Sequence, residues 1–398
     1  MRLMAVCHDS VGIGHLRRTL AIAERAVQTI PSCRVLVVSG TLHASYYSMP
    51  DKVDYVKLPS LRKGPDYRYC AKSLGVNLQD IISIRSAILT ATTASYRPDV
   101  LLIDKSPLGV QGEAETALKL VRDRYPATRV IFGMRDIEDA PEQTKHEWRK
   151  NGHLEALKYL ADEIWVYGDP NVFDAAEAYD LPIEITEKMH YVGYIARAAC
   201  SHTATIKPFD GNGTGKRLLV TVGGGTDGFR LLDQFLSASP QFARNLGLHT
   251  KIVGGPDLPR AQAEQLRQRT TQFPNAEFVD TAGCMGCEYQ KADAVLCMGG
   301  YNTMLEVLQL GKPMLVYPRV EPRLEQYIRA RRFAARGYCE MLDPNCVNPD
   351  RILEAVGHVI ANHRPGEVQM PNLNGLSNVA ERLGRLEAAI RDSVAVFV

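Results

Sequence analysis

The stretch Asp9-Ser10-Val11-Gly12-Ile13-Gly14-His15 follows a short apolar run and leads straight into a segment of helical periodicity. Glycines in a strand-to-helix turn let the backbone approach a ligand closely, and a helix start favours negative charge. Ser10, Gly12 and Gly14 are therefore candidates for a loop that meets an acceptor or a phosphate. The stretch lacks the third glycine and the later acidic residue of a dinucleotide fingerprint, so a plain tight turn is the alternative. His15, on the first helical turn, could act as general base at neutral pH. It could equally cap or pack that turn.

A second glycine loop, Gly223-Gly224-Gly225-Thr226, lies between an apolar run and a helical stretch. Three glycines and a hydroxyl suit a cradle of backbone N–H groups for a diphosphate. No Gly-Lys-Ser/Thr ending follows, which excludes a P-loop. A third element runs from Ala292 to Glu306: a buried strand ends in Gly299-Gly300, and Asn302 and Thr303 are candidate caps of the helix that follows. Glu306, one turn in, could accept two hydrogen bonds from a ribose diol, or merely complement the helix dipole. Further on, the proline-bounded loop before Glu325-Gln326 could read sugar hydroxyls or be an ordinary solvated helix start.

The elements that must position these loops are short apolar runs alternating with helical periodicity. They occur at residues 3–7, 34–39, 100–104, 129–133, 163–167 and 191–192, and again at 217–222, 251–253, 277–279, 294–298 and 314–317. Strands buried on both faces and alternating with helices predict parallel α/β sheets. Leu16, Leu20, Ala23, Val27 and Ile30 mark the first helix, which Pro31 closes. The expected organisation is two doubly wound, Rossmann-like domains, residues 1–194 and 217–375. A polar, glycine-rich linker at 195–216 joins them, and a terminal helix at 376–398 packs back on the first domain. Ligands of such sheets bind beyond the carboxyl ends of the strands, so the two domains are expected to face one cleft. An apolar helix near Ile81 to Leu89 could face an aglycone, a membrane or the core.

Composition narrows the function classes. The 398 residues carry 47 basic and 45 acidic side chains, with 25 of each in the first 200 residues. Neither half has the basic excess of a phosphate-backbone reader, which argues against nucleic acid as partner. Nine irregularly spaced cysteines fit a reducing cytoplasm better than a disulfide scaffold. Neither a signal peptide nor an 18-residue apolar span is legible. Cys284 and Cys287 form a CxxC without two further ligands at compatible spacing, so packing thiols are expected rather than zinc.

Taken in order, these loops resemble the GT-B glycosyltransferases, and within them the MurG family of peptidoglycan N-acetylglucosaminyltransferases with its uncharacterised predicted relatives. The first loop of that family ends Gly-x-Gly-His or Gly-Gly-His, matched by Gly14 and His15. The carboxyl-domain pattern is matched by Phe278, Met285, Tyr289, Ala292, Asp293, Gly300, Thr303, Glu306, Gly311, Pro313 and Glu325-Gln326. Glu325 stands where a glutamine is usual. The segments around Asp104-Lys105-Ser106 and Met134-Arg135-Asp136 look like the uncharacterised relatives, which implies a different acceptor.

The resemblance implies inverting transfer of a hexose or N-acetylhexosamine from a nucleotide diphosphate sugar, preferably UDP-linked, to a hydroxyl of a small molecule or lipid. It implies neither metal nor cofactor, and allows peripheral membrane contact. His15 would be the base, with Asp104 or Asp136 as alternatives. Arg135 would neutralise charge or pair with Asp136. Gly223, Gly224, Gly225, Thr226, Gly299, Gly300, Asn302 and Thr303 would hold the diphosphate. Met285 would lie by the base, Glu306 on the ribose, and Glu325 and Gln326 on the sugar. A nucleotide-sugar hydrolase, an epimerase and a non-catalytic sensor are the competing classes.

Overall fold

The computed structural model describes residues 1–7, 14–41, 49–64, 68–197, 215–245, 247–346, 348–363 and 366–395. Ser10, Gly12 and linker residues 198–214 lie outside them. The chain divides into two compact units, Met1–Ile195 with Asn374–Val398, and Ala196–Leu373.

The first unit contains strands β1 (Arg2–Val6), β2 (Arg34–Ser39), β3 (Val53–Lys57), β4 (Leu61–Lys63), β5 (Tyr69–Ala71), β6 (Val100–Asp104), β7 (Arg129–Arg135), β8 (Glu163–Tyr167) and β9 (Met189–Tyr191). Seven of them form a parallel sheet in the order β3-β2-β1-β6-β7-β8-β9, and β4 and β5 form an antiparallel pair. The strand order reverses at β1, so its carboxyl end, beside that of β6, is the topological switch point. Every residue of β6 is buried, which explains its continuous apolar reading. The edge strand β3 is only partly buried and carries Asp54 and Lys57, so it lacks the apolar run that marks the others.

Helices of this unit are α1 (Gly14–Thr29), α2 (Leu78–Tyr96), α3 (Glu115–Arg124), α4 (Pro141–Lys150), α5 (His153–Leu160), α6 (Ala175–Ala178) and α7 (Ile183–Thr186). Helix α2 turns Ile81, Arg85 and Leu89 fully into the interior, where Arg85 pairs with Glu113. One side of that apolar stretch faces the core, while Ile84 on it stays 41% exposed.

The second unit has strands β10 (Arg217–Thr221), β11 (His249–Val253), β12 (Ala276–Val279), β13 (Ala294–Cys297), β14 (Met314–Val316) and β15 (Glu340–Met341). They form a parallel sheet in the order β12-β11-β10-β13-β14-β15, whose order reverses at β10. Its helices are α8 (Phe229–Asn245), α9 (Arg260–Thr270), α10 (Met285–Lys291), α11 (Tyr301–Gln309), α12 (Glu325–Ala334) and α13 (Pro349–Asn362). Leu231, Leu232, Phe235 and Leu236 of α8 enter one core with Val220, Leu296 and Ile352.

The chain then returns to the first unit. Helix α14 (Gly375–Ala395) packs on α1, and Arg382 donates to Glu163 Oε2 at 2.8 and 3.0 Å. Ser32 Oγ donates to Glu387 Oε1 at 2.8 Å, and Asn378 Nδ2 to the Val192 carbonyl at 2.8 Å. Among the described residues no helix is long and apolar enough to cross a membrane.

Candidate functional site

At the switch point of the first sheet, β1 lies beside β6 with Val6 paired to Ile103. Asp104 closes β6, and α1 opens with Gly14 and His15. The two elements bring His15 Nδ1 within 2.5 Å of Asp104 Oδ2. Arg18, one turn further along α1, donates from Nε at 3.2 Å and from Nη2 at 2.6 Å to Asp104 Oδ1. Its Nη2 also lies 2.9 Å from His15 Nδ1. The His15 side chain retains 17% exposure, against 2% for Arg18 and 4% for Asp104. The guanidinium also lies over the Tyr167 ring, 5.0 Å from its centroid.

Burial alone would raise the Asp104 carboxyl, but Arg18 and His15 override it and hold the group well below the usual carboxylate range. Burial also lowers His15, to about 4; Asp104 opposes that shift, while Arg18 and Lys105 add to it. At neutral pH a neutral imidazole therefore faces an ionised carboxylate. An ionised carboxylate only accepts, so the Asp104 contact requires the ring proton on Nδ1 and puts the lone pair on Nε2; the approach of Arg18 Nη2 to the same nitrogen is then not a hydrogen bond. That is the tautomer a general base needs, with the carboxylate ready to stabilise the imidazolium once a proton is taken.

The two aspartates have different surroundings. Asp104 is buried, ionised and bonded through both oxygens, which makes it the orienting partner of His15 rather than an independent base. Asp136 is fully buried; Tyr194 Oη donates to its Oδ2 at 2.7 Å and the Ile137 N–H to its Oδ1 at 2.8 Å. A carboxylate so committed anchors the turn after β7. Arg135 Nη2 lies 3.2 Å from Glu138 Oε2, and Lys105 Nζ lies 3.7 Å from the same oxygen. Lys105, directly after Asp104, adopts φ 69°, a left-handed conformation uncommon for a side-chain-bearing residue.

In the second unit the glycine loop follows β10. Gly223 and Gly225 have φ values of 68° and 97°. A Cβ at Gly225 would press into the Gly254 carbonyl oxygen, while one at Gly255 would press into the backbone of Gly223 and Gly224. The loop therefore interlocks with a Gly254-Gly255 turn after β11, which adjacency in the sequence did not single out. Replacing Gly225 by alanine is expected to cost about 2–3 kcal/mol through positive φ and this close approach. The shift of the urea midpoint measures it, and an unchanged midpoint contradicts the interlock.

Arg319, in the loop after β14, ties the other parts together. Its Nη1 lies 2.9 Å from Asp227 Oδ2, its Nη2 3.0 Å from Glu325 Oε1, and its backbone N–H donates to Gln326 Oε1 at 3.1 Å. The glycine loop and the Glu325-Gln326 start of α12 are thus joined through one guanidinium, which neutralises the acid standing in place of the usual glutamine. The Gly299 turn abuts Gln326, whose Cβ would lie 3.6 Å from a Cβ at Gly299.

Helix α11 starts earlier than the caps suggest. Gly300 is its N-cap, with no side-chain capping bond, so Asn302 and Thr303 fall inside the first turn. Thr303 Oγ1 instead lies 3.4 Å from Tyr289 Oη on α10, the helix that Met285 opens. Glu306 is buried, at 7% exposure. Cys287 and Cys297 are buried free thiols, and burial pushes Cys297 up to about 12, an inert state. Among the described residues no group of three or more His, Cys, Asp or Glu could hold a metal ion.

Residues 219–383 match the glycosyltransferase family 28 C-terminal domain. The matched residues include the Gly223-Gly224-Gly225 loop, the Gly299-Gly300 turn and the Glu325-Gln326 helix start. A UDP-N-acetylglucosamine--N-acetylmuramyl-(pentapeptide) pyrophosphoryl-undecaprenol N-acetylglucosamine transferase of Actinobacillus pleuropneumoniae serotype 5b is 29% identical over 148 residues, 36% of this chain and 40% of the relative. The chain thus spans less than half the length of that curated relative. Acinetobacter baumannii MurG superposes with a TM-score of 0.59 at 13% identity, covering 96% of this chain and 99% of that one. A Listeria monocytogenes structure titled as a putative UDP-N-acetylglucosamine 2-epimerase gives 0.66 at 11% identity, covering 99% and 96%. The fold is GT-B, and at these identities the structures speak to fold alone.

The residues alone did not single out Arg18, Arg319 and Arg329 for the sites they occupy. Arg18 was within reach, because three residues after His15 it shares the same helix face. Asp227, one partner of Arg319, and Gly299, the partner of Arg329, lie far along the chain, so neither contact carries a local signal.

Proposed function

We propose that the protein is an inverting glycosyltransferase that moves a hexose or N-acetylhexosamine from a UDP-linked donor to a hydroxyl of a small molecule or lipid, without a metal. The observation that carries this reading is the His15–Asp104 couple at the switch point of the first sheet, in a chain whose residues 219–383 match the glycosyltransferase family 28 C-terminal domain. The acceptor hydroxyl gives its proton to His15 Nε2 as its oxygen attacks the anomeric carbon. The bond from that carbon to the diphosphate oxygen breaks on the opposite side, inverting the centre. Asp104 stabilises the resulting imidazolium.

The departing diphosphate meets backbone N–H groups of Gly224, Gly225 and Thr226 and the start of α11, whose aligned dipoles favour negative charge. Glu306 takes the ribose hydroxyls, and Glu325 and Gln326 the sugar. Preference for UDP is supported by the relative whose name includes UDP-N-acetylglucosamine.

Donor sugars incubated with and without cell-extract acceptors, followed by product mass spectrometry, test the proposal. A glycosylated acceptor of inverted configuration is the expected product. Free sugar without acceptor would replace the reading with hydrolysis, isomerised donor with epimerisation, and binding without turnover in any extract with a sensor. Glu306→Ala is expected to weaken UDP binding about tenfold by calorimetry, as loss of a charged hydrogen-bond partner implies. Unchanged affinity would remove Glu306 from the ribose site.

A further inference from the structure

Four arginines are buried among the described residues, and three have carboxylate partners: Arg18 with Asp104, Arg85 with Glu113 and Arg135 with Glu138. The fourth, Arg329 on α12, is 1% exposed and has none. Its Nη1 donates to the Gly299 carbonyl oxygen at 3.0 Å, and its guanidinium lies 5.5 Å from the centroid of the Tyr301 ring. Its Nε and Nη2 are buried without a hydrogen-bond partner. A buried charge left uncompensated is costly, and the other three arginines show how this chain otherwise avoids it.

The turn that Arg329 holds indicates what compensates it. A trans peptide directs its C=O and N–H to opposite sides. With the Gly299 carbonyl fixed on the guanidinium, the Gly300 N–H points the other way. A Cβ on Gly300 would meet nothing within 4 Å, so there is open space beside its Cα. The first turn of α11 follows at once, and the positive end of its helix dipole faces the same turn. Gly299 adopts φ 80°, which glycine alone adopts readily, so the peptide is oriented by residue choice as well as by Arg329.

We infer that Arg329 is a positioning residue for a pyrophosphate group bound at the start of α11. It orients and polarises the Gly299–Gly300 peptide, and its buried positive charge is matched by the ligand rather than by the protein. The identity of the anion as part of a nucleotide sugar rests on the function proposed above; the anion site itself does not.

Calorimetry with inorganic pyrophosphate, UDP, ADP, GDP and uridine on the full chain tests this, using wild type, Arg329→Gln and Arg329→Lys. Arg329→Gln should bind pyrophosphate and UDP at least tenfold more weakly and uridine within twofold of wild type, while Arg329→Lys recovers most of the loss. Without ligand, Arg329→Gln should unfold at a temperature no lower than wild type, because an uncompensated charge has been removed, and UDP should raise that temperature less. Equal losses for UDP and uridine, an unchanged UDP affinity, or a Gln variant that does not fold would each overturn the inference in favour of a structural prop. Wild type that binds pyrophosphate but none of the three nucleotides would overturn the donor reading and support the anion site. Wild type that binds neither would overturn both.

Discussion

Replacing His15 by alanine is expected to lower the rate of sugar transfer about 1,000-fold, within the range a positioned general base contributes, while leaving UDP affinity within twofold. Steady-state turnover and calorimetry on the same preparation separate the two effects. Wild-type turnover would remove the residue from the mechanism, and equal losses of binding and rate would mark a structural role. The pH profile gives a second check. With His15 near 4 in the fold, the base is already deprotonated at pH 7, so kcat/KM should stay flat as pH falls to about 5 and decline towards 4. An unperturbed histidine would start that decline near 6.5. The same shift has a consequence for stability. Between about 6.5 and 4 the unfolded chain binds a proton that the folded one does not, so this contribution falls as pH is lowered through the window. In His15→Ala that part of the slope should vanish from urea midpoints measured at pH 7 and 5.

Truncating Asp104 to alanine should have the largest effect on stability. Arg18 would then remain 2% exposed with its counter-charge gone, a situation that costs about 3–5 kcal/mol. Denaturant unfolding measures the loss. A value under about 1 kcal/mol would mean that the carboxylate is not the partner holding this arginine in the interior. Combining Asp104→Leu with Arg18→Met should recover much of that stability, since an apolar pair of similar volume often replaces a buried ion pair at little cost. Activity should not return, because His15 would lack the carboxylate that sets its tautomer. Stability restored without turnover is thus the expected signature of a couple with both structural and chemical duties.

Much of this arrangement was legible in the residues themselves. Continuous apolar runs marked most strands of both sheets because parallel strands buried on two faces leave no polar positions to obscure them. The glycine loops were legible because close backbone approach and positive φ restrict those positions to glycine, and Gly225 and Gly299 adopt such values. The edge strand β3 and the two-residue β15 were not, since partial burial removes the pattern on which such a reading depends.

What the chain alone determined is therefore the set of local devices: the fold class, the loops at strand ends, and a histidine on a first helical turn. The choice among partners was decided in three dimensions. Asp104 and Asp136 both stand at the carboxyl ends of buried strands and read alike, but β6 lies next to β1 whereas β7 lies one strand further out. One aspartate consequently meets His15 and the other Tyr194. Arg329 looks like any other basic residue of an amphipathic helix until the packing of α12 places it behind Gly299. Pairing between distant segments determines which side chains lose water and which charges meet, and neither outcome is encoded in the spacing of residues along one element.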